Sequence, residues 1–164
     1  MSAHPGIFTA GSPVADHAAF EVETTACLVF IDITDRVVDV VTASGVRRGI
    51  VNVQSAHTTA AIIVNEHEPL LIDDMKRVLE RLAPRSDEYR HDAFDVRTVN
   101  LGPDERPNGH AHCKAMFLRT SESLNIWDGR LQLGQWQRIF LVELDGARKR
   151  AFSINVVGQS EDWS

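Results

Sequence analysis

Five of the seven histidines in this chain sit in places where an imidazole could do chemistry: His57, His67, His91, His110 and His112. His57 opens the string His57-Thr58-Thr59-Ala60-Ala61, His91 closes Tyr89-Arg90-His91, and His110 and His112 flank Ala111. Imidazole is the commonest protein ligand for zinc-like ions, and three neutral imidazoles leave one coordination position open for water or substrate. An open position is what metal-assisted chemistry uses. His57, His91 and His112 are therefore the metal candidates, and a zinc-like divalent ion is the cofactor they would take. Residues two apart on a helix diverge by about 200°, from about 100° per residue. Only one of His110 and His112 then points into a given site. His112, one turn before Ala115 and Met116 on the core side, takes the inward position, and His110 becomes a rim group available for proton transfer. The spacing matches no compact metal motif such as HExxH, so the same histidines also suit hydrogen-bonded core or surface positions.

Other polar residues supply the remaining parts of a possible site. Asn65-Glu66 ends an apolar run, which makes Glu66 a candidate general base or a partner for a metal-bound histidine. It reads equally as the first residue of a solvated loop. Lys114 and Arg130 could neutralise a phosphate, as could Arg119 and Arg148, although scattered basic residues are usually surface charges. Gln137, beside Trp136, could line a pocket. Glu143 lies within the apolar run Ile139-Phe140-Leu141-Val142 and needs a partner if its side chain points inward.

The elements that must position these groups follow from the hydrophobic pattern. Strands are expected over residues 19–25, 27–33, 49–55, 60–65, 123–127, 137–145 and 148–157. Thr34 would cap a helix to about Ala43, with Val37, Val38 and Val41 inward and Gly45 as its stop. The clearest helix starts at Pro69, carries Leu71, Met75, Val78, Leu79 and Leu82 on one face, and stops before Pro84. Residues 85–109 are polar and turn-rich, the kind of long irregular stretch that is often functional. Asn108 would then cap a helix to about Arg119. Asp128-Gly129 and Asp145-Gly146 are hairpin-turn signals. About seven strands and three unevenly interleaved helices give an α+β fold with a largely antiparallel sheet system.

A length of 164 residues with 43% hydrophobic and 24% charged residues suits one domain with a real core. Residues 1–18 read as a flexible arm, 19–158 as the domain and 159–164 as a tail. The net charge of −6 disfavours a general nucleic-acid partner. No apolar run reaches membrane-spanning length, and the first fifteen residues lack the basic start and apolar centre of a signal peptide, so no membrane partner and a cytoplasmic location are expected. Cys27 and Cys113 form no CxxC pair and are expected as thiols.

The strings quoted above resemble the YjbQ-like (UPF0047) family. His57-Thr58-Thr59-Ala60-Ala61 with Asn65-Glu66 is similar to its first signature, Tyr89-Arg90-His91 to its central one, and the stretch from Asn108 to Lys114 to its third. Asp128-Gly129-Arg130, Leu133-Gly134-Gln135-Trp136-Gln137 and Glu143-Leu144-Asp145-Gly146 resemble its C-terminal block. Cys113 and Gln135 depart from it, where leucine or isoleucine and threonine are more usual. The resemblance spans residues 20–157. It implies an α+β, β-sandwich-like sheet system with flanking helices, a homotrimer with pockets near subunit contacts, and a histidine metal site at His57, His91 and His112. It also implies a secondary thiamine-phosphate synthase activity, in which a pyrimidine pyrophosphate and a thiazole phosphate join and release pyrophosphate.

Three functions follow as expectations. The first is a metal-dependent enzyme acting on a small phosphorylated substrate. Histidine ligands suit zinc-like metals rather than the magnesium usual in pyrophosphate-releasing reactions, so a hydrolase or lyase is the alternative chemistry. The second is a non-catalytic metal- or ligand-binding homotrimer. The third is a structural or interaction module.

Overall fold

The computed structural model describes residues 12–160. Eight strands form two antiparallel sheets. The larger has the order β1-β8-β3-β5-β6, built from β1 (Ser12–Glu23), β8 (Lys149–Ser160), β3 (Arg48–Ser55), β5 (Ser121–Trp127) and β6 (Arg130–Leu131). The smaller has the order β2-β7-β4, built from β2 (Val29–Asp32), β7 (Gln137–Glu143) and β4 (Ala60–Glu66). The described residues also hold three α-helices: α1 (Thr34–Ser44), α2 (Pro69–Leu82) and α3 (Gly109–Ala115). The expected α+β class and antiparallel pairing are therefore present.

The smaller sheet is the middle layer. Along β7, Ile139 and Leu141 join the core shared with α1 and the larger sheet, while Phe140 and Val142 face the second core with Leu79 of α2 and Ala111 of α3. Burial on both faces explains why this strand reads as a continuous apolar run, since side chains alternate between faces and both faces are dry.

Several boundaries differ from the sequence reading. Residues 12–18, expected in the N-terminal arm, are strand: β1 pairs with β8 from Ser12↔Ser160 to Glu23↔Lys149. His17, in that stretch, lies 2.7 Å through Nδ1 from Asn155 Oδ1. The rest of the arm and residues 161–164 of the tail lie outside the described residues, whereas Gln159 and Ser160 belong to β8. Thr34 does not cap α1. It is the first helical residue, its N–H donates to Asp32 Oδ1 at 3.0 Å, and its hydroxyl accepts from Ile139 N–H at 2.7 Å. Burial opposes ionisation of Asp32, but hydrogen bonds from Thr34 and Arg138 overcome this and hold its pKa at about 2. Gly45 ends α1 in the left-handed region at φ 69°, a conformation that costs glycine little.

The two hairpin signals part company. Asp128 and Gly129, at φ 52° and 72°, form the tight β5–β6 turn, with Trp127 paired to Arg130. Asp145-Gly146 instead carries the chain from β7 in the smaller sheet to β8 in the larger. Residues 56–59 make the same kind of passage from β3 to β4. α3 is shorter than expected, and its first turn is capped from elsewhere: Asp92 Oδ1 accepts the N–H groups of Asn108 and Gly109, each at 2.9 Å. No helix among the described residues is long and apolar enough to cross a membrane.

Candidate functional site at the sheet crossovers

The two passages between sheets meet the irregular segment and α3 around a cavity of about 460 Å³. His57 comes from the β3–β4 passage, His91 from a single 3-10 turn at Arg90–Asp92, His112 from α3, Arg148 from the end of the β7–β8 passage and Arg150 from the start of β8. All three histidines proposed as ligands thus line one cavity. The His91 and His112 rings lie 4.6 Å apart between centroids, at 64° to each other. Burial lowers the pKa of His112, and the neighbouring His91 lowers it further. Burial also lowers that of His57, helped by the Arg150 guanidinium. Both rings are therefore held toward the neutral form.

Their nitrogens are partly committed. Ala151 N–H donates to His57 Nε2 at 2.7 Å. Arg97 Nη1 donates to His91 Nε2 at 3.0 Å and to His91 O at 2.9 Å. A neutral ring that accepts through Nε2 carries its proton on Nδ1, so neither ring offers a free lone pair in this arrangement. His112 makes no such bond among the described residues. No group of three His, Cys, Asp or Glu side chains among the described residues is assembled to hold a metal ion. Donor type and neutrality suit a zinc-like ion, but the orientation of the rings does not fit a three-histidine cage.

The wall is strongly basic. Arg97, Arg106, Arg148 and Arg150 line it, opposed by Asp104 and Glu105. Arg150 is committed to structure. With Glu143 it forms a buried pair, the two side chains only 2% and 0% exposed. Arg150 Nε lies 2.6 Å from Glu143 Oε2, and its Nη2 donates to Thr59 Oγ1 at 2.9 Å. Burial opposes the charge on Glu143, yet hydrogen bonds from Arg150 and from Asp145 N–H hold its pKa below the ordinary value. Arg97 is partnered by Glu105 at 3.3 Å and Arg148 by Asp145. Arg148 Nε and Asn108 Oδ1 are buried without a hydrogen-bond partner. Such groups are unstable unless something polar meets them.

The other residues assigned from sequence do not reach this cavity. Glu66 closes β4 opposite Gln137. A seven-residue strand is about 20 Å long, and His57 precedes the other end, so Glu66 lies away from the cavity that the three histidines line. Gln137 lies at that same far end and accepts from Gly134 N–H at 2.8 Å, closing a loop. Arg130 sits on β6, at the outer edge of the larger sheet. Lys114 is 0% exposed, donates to Ala83 O at 2.7 Å and pairs with Glu80 at 3.0 Å. It is a buried strut between α3 and the end of α2, not a phosphate ligand. His110 and His112 do diverge on the helix, and His110 lines a separate, smaller cavity. Sequence reasoning missed Arg97 and Arg106, which sit in the irregular segment where no periodicity marks a direction. It missed the capping role of Asp92 for the same reason.

The family model described as "UPF0047 protein YjbQ-like" matches residues 18–159. A UPF0047 protein of Methanothermobacter thermautotrophicus is 38% identical over 136 residues, covering 83% of this chain and 87% of that one. The UPF0047 protein YugU of Bacillus subtilis is 31% identical over 84% of this chain and 96% of its own. Among solved structures, a YbjQ-like protein of unknown function from Sulfolobus solfataricus superposes with a TM-score of 0.81 at 34% identity, over 90% of this chain and 100% of that one. A hypothetical protein from Aeropyrum pernix gives 0.77 at 33% identity, over 88% and 99%.

Proposed function

The chain belongs to the YjbQ-like family, and from that premise we propose that the crossover cavity binds a small phosphorylated molecule and acts on it. The observation that carries this reading is the His91–His112 pair, 4.6 Å apart, set in a wall with Arg97, Arg106 and Arg148. Guanidinium groups match phosphate oxygens in charge and geometry. A neutral His112 is ready to accept a proton near pH 7, and the Glu105 carboxylate favours the charge that results. The buried Arg148 Nε gains an acceptor when a phosphate enters. Thiamine-phosphate synthase chemistry is one version of this reading, and both of its reactants carry phosphate.

Binding of inorganic phosphate, followed by 31P NMR, tests the reading. Arg148→Gln is expected to weaken binding roughly tenfold or more, the scale of one charge-assisted hydrogen bond. His112→Ala is expected to leave binding within a few-fold but to reduce turnover of the pyrimidine pyrophosphate and thiazole phosphate pair by roughly a hundredfold. Phosphate binding that ignores Arg148→Gln sinks the proposal.

A second reading, metal binding without turnover, is favoured by three imidazoles lining one cavity, two of them held neutral. A zinc-like ion would have to displace Arg97 from His91 and the Ala151 amide from His57. Metal analysis of protein purified without a histidine tag separates this reading from the first.

The homotrimer belongs to the same proposal. Val78, Leu82 and Phe117 are exposed around an apolar groove of about 420 Å³ between α2 and the end of α3, a surface that favours self-association. Light scattering is expected to read three chain masses. A cytoplasmic location fits too, since Cys27 and Cys113 are both free thiols.

A further inference from the structure

Beside the main cavity lies a second one of about 290 Å³, and Arg106 lines both. Its other charged or titratable lining groups are Arg85, Asp92, His110 and Asp145. Each carboxylate is engaged through one oxygen. Asp92 Oδ1 accepts two backbone N–H groups of the α3 turn, and Asp145 is ion-paired with Arg148. The cations are freer. The Arg85 side chain makes no hydrogen bond or ion pair among the described residues, and Arg106 makes only a long 3.4 Å contact from Nη2 to Ala147 O. His110 is 2% exposed, and its Nε2 is buried with no hydrogen-bond partner. A buried imidazole nitrogen left unpaired is a desolvated polar group awaiting a partner.

We propose that this second cavity is an oxyanion subsite, taking a phosphate group between Arg85, Arg106 and His110, so that the site as a whole holds two phosphate groups on either side of Arg106. The inference rests on the phosphate reading of the main cavity and extends it to the substrate class. The site accommodates a doubly phosphorylated molecule or two singly phosphorylated ones. In this arrangement His110 donates its N–H to the second phosphate, and the role is binding rather than proton transfer at the His91–His112 pair.

The test counts inorganic phosphate bound per chain at saturation by 31P NMR, then repeats the titration with fructose 1,6-bisphosphate. Wild-type protein is expected to take two phosphates. Arg85→Gln is expected to take one, with the survivor's affinity changed less than threefold, and Arg148→Gln to take at most one, since it also frees the Asp145 carboxylate that borders the second cavity. Arg85 is exposed, so its replacement disturbs no packing, and Arg85→Lys is expected to restore the second phosphate. If one bisphosphate displaces both phosphates, the two groups belong to one molecule. If two are needed, they come from separate molecules. A single phosphate that survives Arg85→Gln and disappears with Arg148→Gln overturns the second subsite and leaves the proposed function standing. No binding in any form overturns both.

Discussion

At the scale of single residues, the site divides into groups held for structure and groups left available. Glu143 and Arg150 are of the first kind. Glu143 interrupts an apolar strand, and the sequence alone shows that an inward carboxylate there needs a partner. The partner is Arg150, from the neighbouring sheet, and the pair also fixes Thr59 and the turn at Asp145. Breaking a buried pair strands one charge, at a cost of about 3–5 kcal/mol. Glu143→Gln is expected to lower stability by that amount in urea or thermal unfolding, with the cavity lost alongside. An unfolding midpoint within 1 °C of wild type would show that the charge is not needed. Arg97 marks the limit of sequence reading at this scale. Nothing in Asp95-Val96-Arg97-Thr98, or in the residues that follow to 105, signals that its guanidinium turns back onto His91.

At the scale of elements, α3 places His112, and its position is set by contacts remote in sequence. Asp92, sixteen residues before Asn108, supplies the acceptor that Asn108 itself does not. Gly109 lets the helix start lie against Tyr89, where an added Cβ would come within 2.4 Å of the Tyr89 Cβ. Losing a capping acceptor costs about 1–2 kcal/mol. Asp92→Ala is expected to cost that much in chemical unfolding and to weaken phosphate binding as His112 loses its fixed place. Asp92→Asn, which keeps one acceptor oxygen, is expected to retain most of both. The helices and central strands were readable in the sequence because their periodicity is strong: α2 begins at Pro69 and ends at Leu82, as its apolar face predicts. The first half of β1 was not, because Ser12 to Ala18 shows little alternation and its order comes from pairing with β8. The Asp145-Gly146 turn looked like a hairpin because local turn chemistry carries no information about which sheet receives the next strand.

For the whole molecule, two of the site histidines and Glu143 all couple stability to pH in one direction. His57 and His112 have folded-state pKa values below the ordinary value of about 6.5, and Glu143 below about 4.5. A lowered folded pKa means the unfolded chain binds protons that the folded one refuses. Stability is then full above the unfolded pKa and is lost as pH falls. The melting temperature is expected to be flat from pH 8 to 7, to decline from about pH 6.5 as the unfolded histidines take up protons, and to fall again below about pH 4.5. A melting temperature that rises between pH 7 and 5.5 would contradict the placement of these rings. The site's histidines were visible in the sequence, but their convergence was implied only by the family resemblance and by no local pattern, since it depends on two strand-to-strand passages meeting at one corner. Those passages are also what joins the two sheets. Cohesion and recognition therefore share the same few residues at that corner, while the irregular segment is tied down chiefly by Arg97, which reaches His91, Val99, Asn100 and Glu105. A substitution at that corner that loosens the join between the sheets would therefore blunt recognition as well, and the two effects would not add as independent ones do.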